Sequence, residues 1–309
     1  MKILAFSILA TGVACAATLQ MPPTCTQPDG MAIDPAGRLV IAAPNNNHQQ
    51  PGAIFRLSEP GKTPEKWFDV PAYAESGFAA PMGICFGPEG ELYICDNQKA
   101  GAARLLRLTF KDDKVATCET IAAGLENANG VKYHKGKLYM TSAFLRKIPA
   151  ANNALSSGLY MFDAKDRNVR VTNTAADPQL IFTDVTEGKV QVGCNGVAFN
   201  SKGELFVSNY GASTVWKLTL GEDGKVAKKE LFVKADAGVK TPDGLCVDED
   251  DNLYIADMHG GQAVQVTPAG EVKVLKKGGF KAPSEPGVWR GNYYISNWGG
   301  TTVEETKLP

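Results

Sequence analysis

Six copies of a pattern of about fifty residues, an apolar run in each copy that alternates with polar residues, and no helical periodicity between copies together predict an all-β chain closed into a six-bladed β-propeller. The copies are "QPDGMAIDPAGRLVIAAPN" from Gln27, "APMGICFGPEGELYICDNQ" from Ala80, "NANGVKYHKGKLYMTSAF" from Asn127, "GCNGVAFNSKGELFVSNYG" from Gly193, "TPDGLCVDEDDNLYIADMHGG" from Thr241 and "SEPGVWRGNYYISNWGG" from Ser284. Each reads as a glycine, a short apolar run, a Gly/Asp/Asn turn, a second apolar run and a polar loop. Gly30, Gly83, Gly130, Gly196, Gly244 and Gly287 mark the phase, 43 to 66 residues apart.

The chain begins with "MKILAFSILATGVACAA": one lysine, an apolar stretch, then small residues. That is the grammar of a secretory signal peptide over residues 1–17, too short to span a bilayer. Cleavage near Ala16 is expected, with lipid attachment at Cys15 as the alternative. A periplasmic or secreted protein follows, and no later run approaches the roughly 20 apolar residues of a membrane helix. Residues 18–309 then form one propeller domain.

Within each copy the two apolar runs form a hairpin, strands A and B. A third strand follows ("AIFRLS", "RLLRLTF", "GLYMFDA", "STVWKLTL", "AVQVTP"), and a weaker fourth in most copies. One blade cannot cover both faces of its sheet, whereas six around an axis can, and closing the ring protects the strand edges. The sixth copy ends soon after its third strand at "TTVEETKLP", so residues near Thr18 to Pro22 are expected to supply its outer strand.

The 309 residues carry a formal charge of −1, which gives no electrostatic footprint for nucleic acid. A small-molecule partner is expected, and with no heptads or apolar edge, a monomer. Beyond Cys15 stand Cys25, Cys85, Cys95, Cys118, Cys194 and Cys246. Disulfides are permitted in an exported chain, but the spacing selects no pairing, although Cys85 and Cys95 flank one hairpin.

Strand direction puts the residues before the marker glycines on the same face as the B–C loops. His48, His259 and the long Ala143–Gly158 segment, a potential lid, therefore share one mouth, while His134 lies in an A–B turn on the opposite face. The residues before the markers are Asp29, Met82, Asn129, Asn195, Asp243 and Pro286. Asp-Gly and Asn-Gly are common turn pairs, yet each hairpin already has its own turn. Four oxygen-bearing side chains in one phase, on the innermost strands, converge on the axis. Two carboxylates and two amide carbonyls suit Ca²⁺ or another hard divalent cation, and the absence of imidazole or thiolate from the ring argues against zinc or copper. Asp96, Asn209, Asp257 and Asn297, at the ends of B strands, read as loop-shaping residues. Tyr210, Trp298 and His259 follow three of them toward the pocket.

These residues resemble the calcium-dependent six-bladed propeller hydrolases: the senescence marker protein/gluconolactonase family, the diisopropyl fluorophosphatases and, more distantly, the paraoxonases. The resemblance implies metal ligands from blades one, three, four and five, matching Asp29, Asn129, Asn195 and Asp243. Asp29 departs from the pattern, since the family carries the longer Glu there. The implied activity is hydrolysis of a lactone, ester or phosphoester. Asp243 is then the expected nucleophile or base, and His259 a general acid or base. The alternative is a non-catalytic, NHL-like propeller that binds a ligand or protein on the same scaffold.

Overall fold

The computed structural model describes residues 17–98 and 101–308. Six sheets, antiparallel except for one short strand added to the second, stand in a ring, in the arrangement of a six-bladed β-propeller. Their innermost strands are Met31–Ile33, Pro81–Phe86, Val131–His134, Cys194–Phe199, Pro242–Val247 and Pro283–Trp289. Met1 to Ala16, with Cys15, lie outside the described residues. Ala17 already belongs to the propeller, as the first residue of the closing strand Ala17–Gln20. That strand pairs with Thr302–Lys307 from Ala17 opposite Glu305 to Gln20 opposite Thr302, so the N-terminal segment completes blade six as expected. Side chains fasten the seam: the Thr18 hydroxyl donates to Glu304 at 3.1 Å and the Gln20 amide to the Thr301 carbonyl at 2.8 Å.

The B strands Leu39–Ala43, Leu92–Asp96, Leu205–Asn209 and Leu253–Asp257 are buried at every residue, because a neighbouring blade covers each face. Outer strands such as Val272–Lys277 have no fully buried residue. The core is therefore a series of wedges between blades. Tyr93, Leu105, Leu138 and Tyr160 fill one, and Phe206, Val215, Ile255 and Val264 fill another. At the seam, Leu19 and Met21 pack with Phe55, Trp289, Tyr294 and Val303, so closure buries apolar side chains as well as pairing an edge.

Blade three departs from the simple repeat. Its third strand starts at Leu155, inside the segment expected to be a loop, and runs to Asp163. The rest of that segment is pinned. The Leu145 N–H donates to the Ser156 carbonyl at 2.8 Å and the Arg146 N–H to Glu126 at 3.0 Å. The chain then crosses to blade two, where Val169–Arg170 adds a fifth strand parallel to Lys114–Leu125, before returning as Leu180–Thr186. This excursion accounts for the longest marker spacing. Among the described residues no helix is long and apolar enough to cross a membrane.

Candidate metal and catalytic site

The marker glycines answer a packing demand and not a turn. A Cβ on Gly30 would lie 2.2 Å from the Met82 carbonyl oxygen, and one on Gly83 2.3 Å from that of Asn129. Gly130, Gly196 and Gly244 meet the corresponding carbonyls of Asn195, Asp243 and Ser284 at 2.7, 2.4 and 2.6 Å. None of the five has a positive φ. Each inner strand thus lies against the next blade's backbone too closely for any side chain.

The same geometry turns the preceding residues inward. In blades two, four and five the A–B register breaks between Pro81 and Ile84, Cys194 and Val197, and Pro242 and Leu245. The two residues inside each break leave the ladder: Met82-Gly83, Asn195-Gly196 and Asp243-Gly244. In blades one and three the corresponding bonds are Asp29 N–H to the Ala42 carbonyl at 2.8 Å and Asn129 N–H to the Thr141 carbonyl at 3.1 Å. Hydroxyls from B strands fix the ring. Ser208 accepts the Gly196 N–H and donates to the Asp243 carbonyl, both at 2.7 Å. Thr141 accepts the Gly130 N–H at 2.8 Å and donates to the Asn195 carbonyl.

The four expected side chains, Asp29, Asn129, Asn195 and Asp243, come together around one axial cavity of about 10 Å³. Asp29, Asn195 and Asp243 are only 8, 8 and 6 % exposed.

Blade six corrects the reading by phase. Its register breaks between Pro283 and Pro286, so the residue in phase with Asp243 is Ser284, and the one in the glycine phase is Glu285. Pro286 and Gly287 lie two residues further out and line a separate cavity of about 340 Å³ with Met31, Cys85, Phe199 and Cys246. Glu285 and Ser284 join the axial cavity instead, as does Lys132 of blade three. Lys132 Nζ stands 4.0 Å from Glu285 Oε1 and borders both cavities. Sequence reasoning missed Ser284, Glu285, Lys132, Thr141 and Ser208. A signal was present for the last two, a hydroxyl residue in each of the segments "MTS" and "VSN".

Burial dominates the electrostatics. It pushes the Asp29 carboxyl up to about 6, partly offset by the Ser284 hydroxyl. Burial, and then the charges of Asp29 and Glu285, push Asp243 well above the carboxylate range, while the Asn195 amide pulls it back. Glu285 rises to about 8 through burial, with Lys132 opposing and Asp29 reinforcing. A cluster of buried acids with so little compensation favours either protons or a cation. Among the described residues, no three His, Cys, Asp or Glu side chains gather closely enough to hold a metal alone. An axial cation would therefore depend on the two amides as well.

The histidines separate. His259 does not line the axial cavity; its Nε2 lies 3.4 Å from the Tyr210 hydroxyl. Tyr210 is pushed up to about 12 by burial and then by the Asp243 charge. His48 packs against Phe78 with ring centroids 4.0 Å apart and the ring planes tilted by 41°, in a cavity between blades one and two. His134 stacks on Phe199 at 4.4 Å and is the last residue of its inner strand, paired with Lys137 just before the A–B turn where it was expected. The strand-end residues shape loops: Asp96 accepts from the Ala80 N–H at 2.8 Å, Asp257 from Thr241 at 2.8 Å, and Asn297 from Lys281 at 3.0 Å. Cys25, Cys85, Cys95, Cys118, Cys194 and Cys246 are all unbridged.

Fold and site together define an all-β propeller with a polar cavity on its axis. The profile of the family described as SMP-30/Gluconolactonase/LRE-like region matches residues 53–285, and the chain belongs to that family. Among curated proteins none matches the sequence. Solved structures do. A gluconolactonase from Xanthomonas campestris is 19 % identical with a TM-score of 0.64, over 96 % of this chain and 91 % of the other. A luciferin-regenerating enzyme is 13 % identical with a TM-score of 0.65, over 95 % and 96 %. Virginiamycin B lyase from Staphylococcus aureus is 15 % identical with a TM-score of 0.55, over 95 % and 88 %. At such identities the likeness establishes the fold, and the differing activities named show that the fold alone does not select a chemistry.

Proposed function

We propose that the chain is an exported, calcium-dependent hydrolase of lactones or related esters and phosphoesters. One observation carries the reading. Two carboxylates and two amides from blades one, three, four and five face one cavity with room for about a single water-sized sphere. Hard oxygen donors, crowded acids and a single-sphere volume fit a hard divalent cation. Asp29, Asn129, Asn195 and Asp243 would hold it. When bound, the ion supplies Lewis-acid polarisation of a carbonyl or phosphoryl oxygen.

The chain's own residues do the rest. Ser208 and the Gly196 backbone fix the main chain of Asp243, so its carboxylate faces the cavity in one orientation. From there Asp243 either attacks the acyl or phosphoryl centre or takes the proton of an attacking water. His259, beside the Tyr210 hydroxyl, is placed to move a proton between this site and solvent. Family membership and the gluconolactonase among the structural neighbours favour lactones as the first substrates to test. Export rests on the leader sequence alone, and N-terminal sequencing of the mature protein tests it.

The deciding experiment removes divalent ions with EDTA, restores Ca²⁺, and follows thermal stability together with hydrolysis of a lactone and phosphotriester panel. Activity and stability that both follow Ca²⁺ support the reading. Stability that follows Ca²⁺ without turnover of any substrate supports a metal-stabilised binding scaffold. No response to Ca²⁺ overturns the cation.

A further inference from the structure

Five of the six blades bring glycine to the axis because the neighbouring backbone leaves no room for a side chain. Blade six brings Glu285. Its Oε2 lies 1.9 Å from where a Gly244 Cβ would stand, so the carboxylate occupies space that exists only because residue 244 is glycine. The Glu285 side chain is 15 % exposed and that of Lys132 is 23 % exposed. Both line the axial cavity with Asp29 and Asp243. The 4.0 Å between Lys132 Nζ and Glu285 Oε1 is longer than a hydrogen bond, so the pair is coupled by charge more than by a shared proton.

We propose that Glu285 and Lys132 form a charge couple on the axis that sets the cation affinity of the Asp29–Asn129–Asn195–Asp243 ring. The inference rests on the calcium reading above and adds to it two residues that act through charge. The three acids do not converge as a common set of metal ligands, so Glu285 works as a positioning residue. Once ionised it draws a cation toward the ring, and Lys132 opposes it. Low-dielectric surroundings make both effects large compared with the same charges at the surface. The short Asp29 gives the couple a purpose: a carboxylate with less reach is offset by an extra negative charge nearby.

The test is calorimetric titration of Ca²⁺ into the full chain at about pH 9, where Glu285, raised to about 8, is ionised, wild type against Glu285→Gln and Lys132→Met, with melting temperatures recorded with and without Ca²⁺. Glu285→Gln is expected to weaken Ca²⁺ binding by roughly 10–100-fold, the range seen when outer partners of a metal site are removed. It should also raise the melting temperature of the calcium-free protein by relieving repulsion among buried acids. Lys132→Met is expected to tighten binding. A merely structural ion pair predicts the reverse pattern: both variants melt lower without Ca²⁺ and both keep the wild-type affinity, and that result overturns the proposal. If Lys132→Met fails to fold, Lys132→Gln and the Glu285→Gln titration still decide it. A wild type that binds no Ca²⁺ overturns the cation reading itself. A wild type that binds while Glu285→Gln binds equally well overturns only the couple.

Discussion

Blades five and six carry the same strand frame and put opposite things on the axis. In blade five, Asp243 faces the cavity and Gly244 makes room for its neighbour. In blade six, Ser284 takes the facing position and Glu285 fills the room. The frame is fixed by backbone packing, while the occupant of each inward position is free to differ. Chemistry on a propeller axis is therefore a matter of which residue falls inside the register break, blade by blade.

The largest effect separating the two blades should be on turnover. Asp243→Asn is expected to lower kcat/KM on the best substrate by at least about 100-fold if the carboxylate attacks or moves a proton. Full calcium-dependent turnover by this variant would remove Asp243 from the mechanism.

Packing gives the next contrast. Gly244→Ala places a Cβ 2.6 Å from the Ser284 carbonyl and 2.8 Å from the Glu285 Cα, backbone that has nowhere to go. A loss of about 1–3 kcal/mol in denaturant unfolding is expected. Gly287→Ala meets the flexible Met31 Sδ at 3.1 Å, and should cost less than about 1 kcal/mol. Equal losses would undo the assignment of Glu285, and not Gly287, to the ring phase.

A smaller loss, about 1 kcal/mol or a little more, is expected for Ser208→Ala, which leaves the Gly196 N–H and the Asp243 carbonyl short of a partner. Its activity should fall further than its stability, because the hydroxyl aims the catalytic strand.

The mildest prediction concerns pH. Asp29 and Glu285 are raised to about 6 and about 8 in the folded protein, against roughly 4 for an unfolded carboxylate. The folded state therefore binds more protons between these limits. The stability that protonation confers on the calcium-free protein is complete below pH of about 4 and is lost as pH rises toward about 8. Added Ca²⁺ should flatten that decline. Asp177 supplies the opposite sign: held below the usual range by hydrogen bonds from Thr172 and Asn173 against the pull of burial, it loses its contribution as pH falls. A melting curve that rises with pH in the absence of Ca²⁺ would contradict the crowding of acids on the axis.

The sequence by itself determined the class of fold, the closure of blade six by the N-terminal strand, and four of the inward oxygen donors. Each of these follows from a local signal: alternation of period two, a glycine at fixed phase, and a missing fourth strand. It did not reveal that blade six runs two residues out of phase. A slip of two keeps every side chain on the same face of the strand, so "SEPG" reads as well aligned on Gly287 as on Glu285. Only the pairing of Pro283 with Asn297 and of Pro286 with Ile295 settles which residue stands at the axis. Lys132 was hidden for a related reason, since its neighbours along the chain say nothing of Glu285 across the ring. The tertiary structure decided those two because charges that meet on a symmetry axis come from different blades, and no stretch of chain contains both.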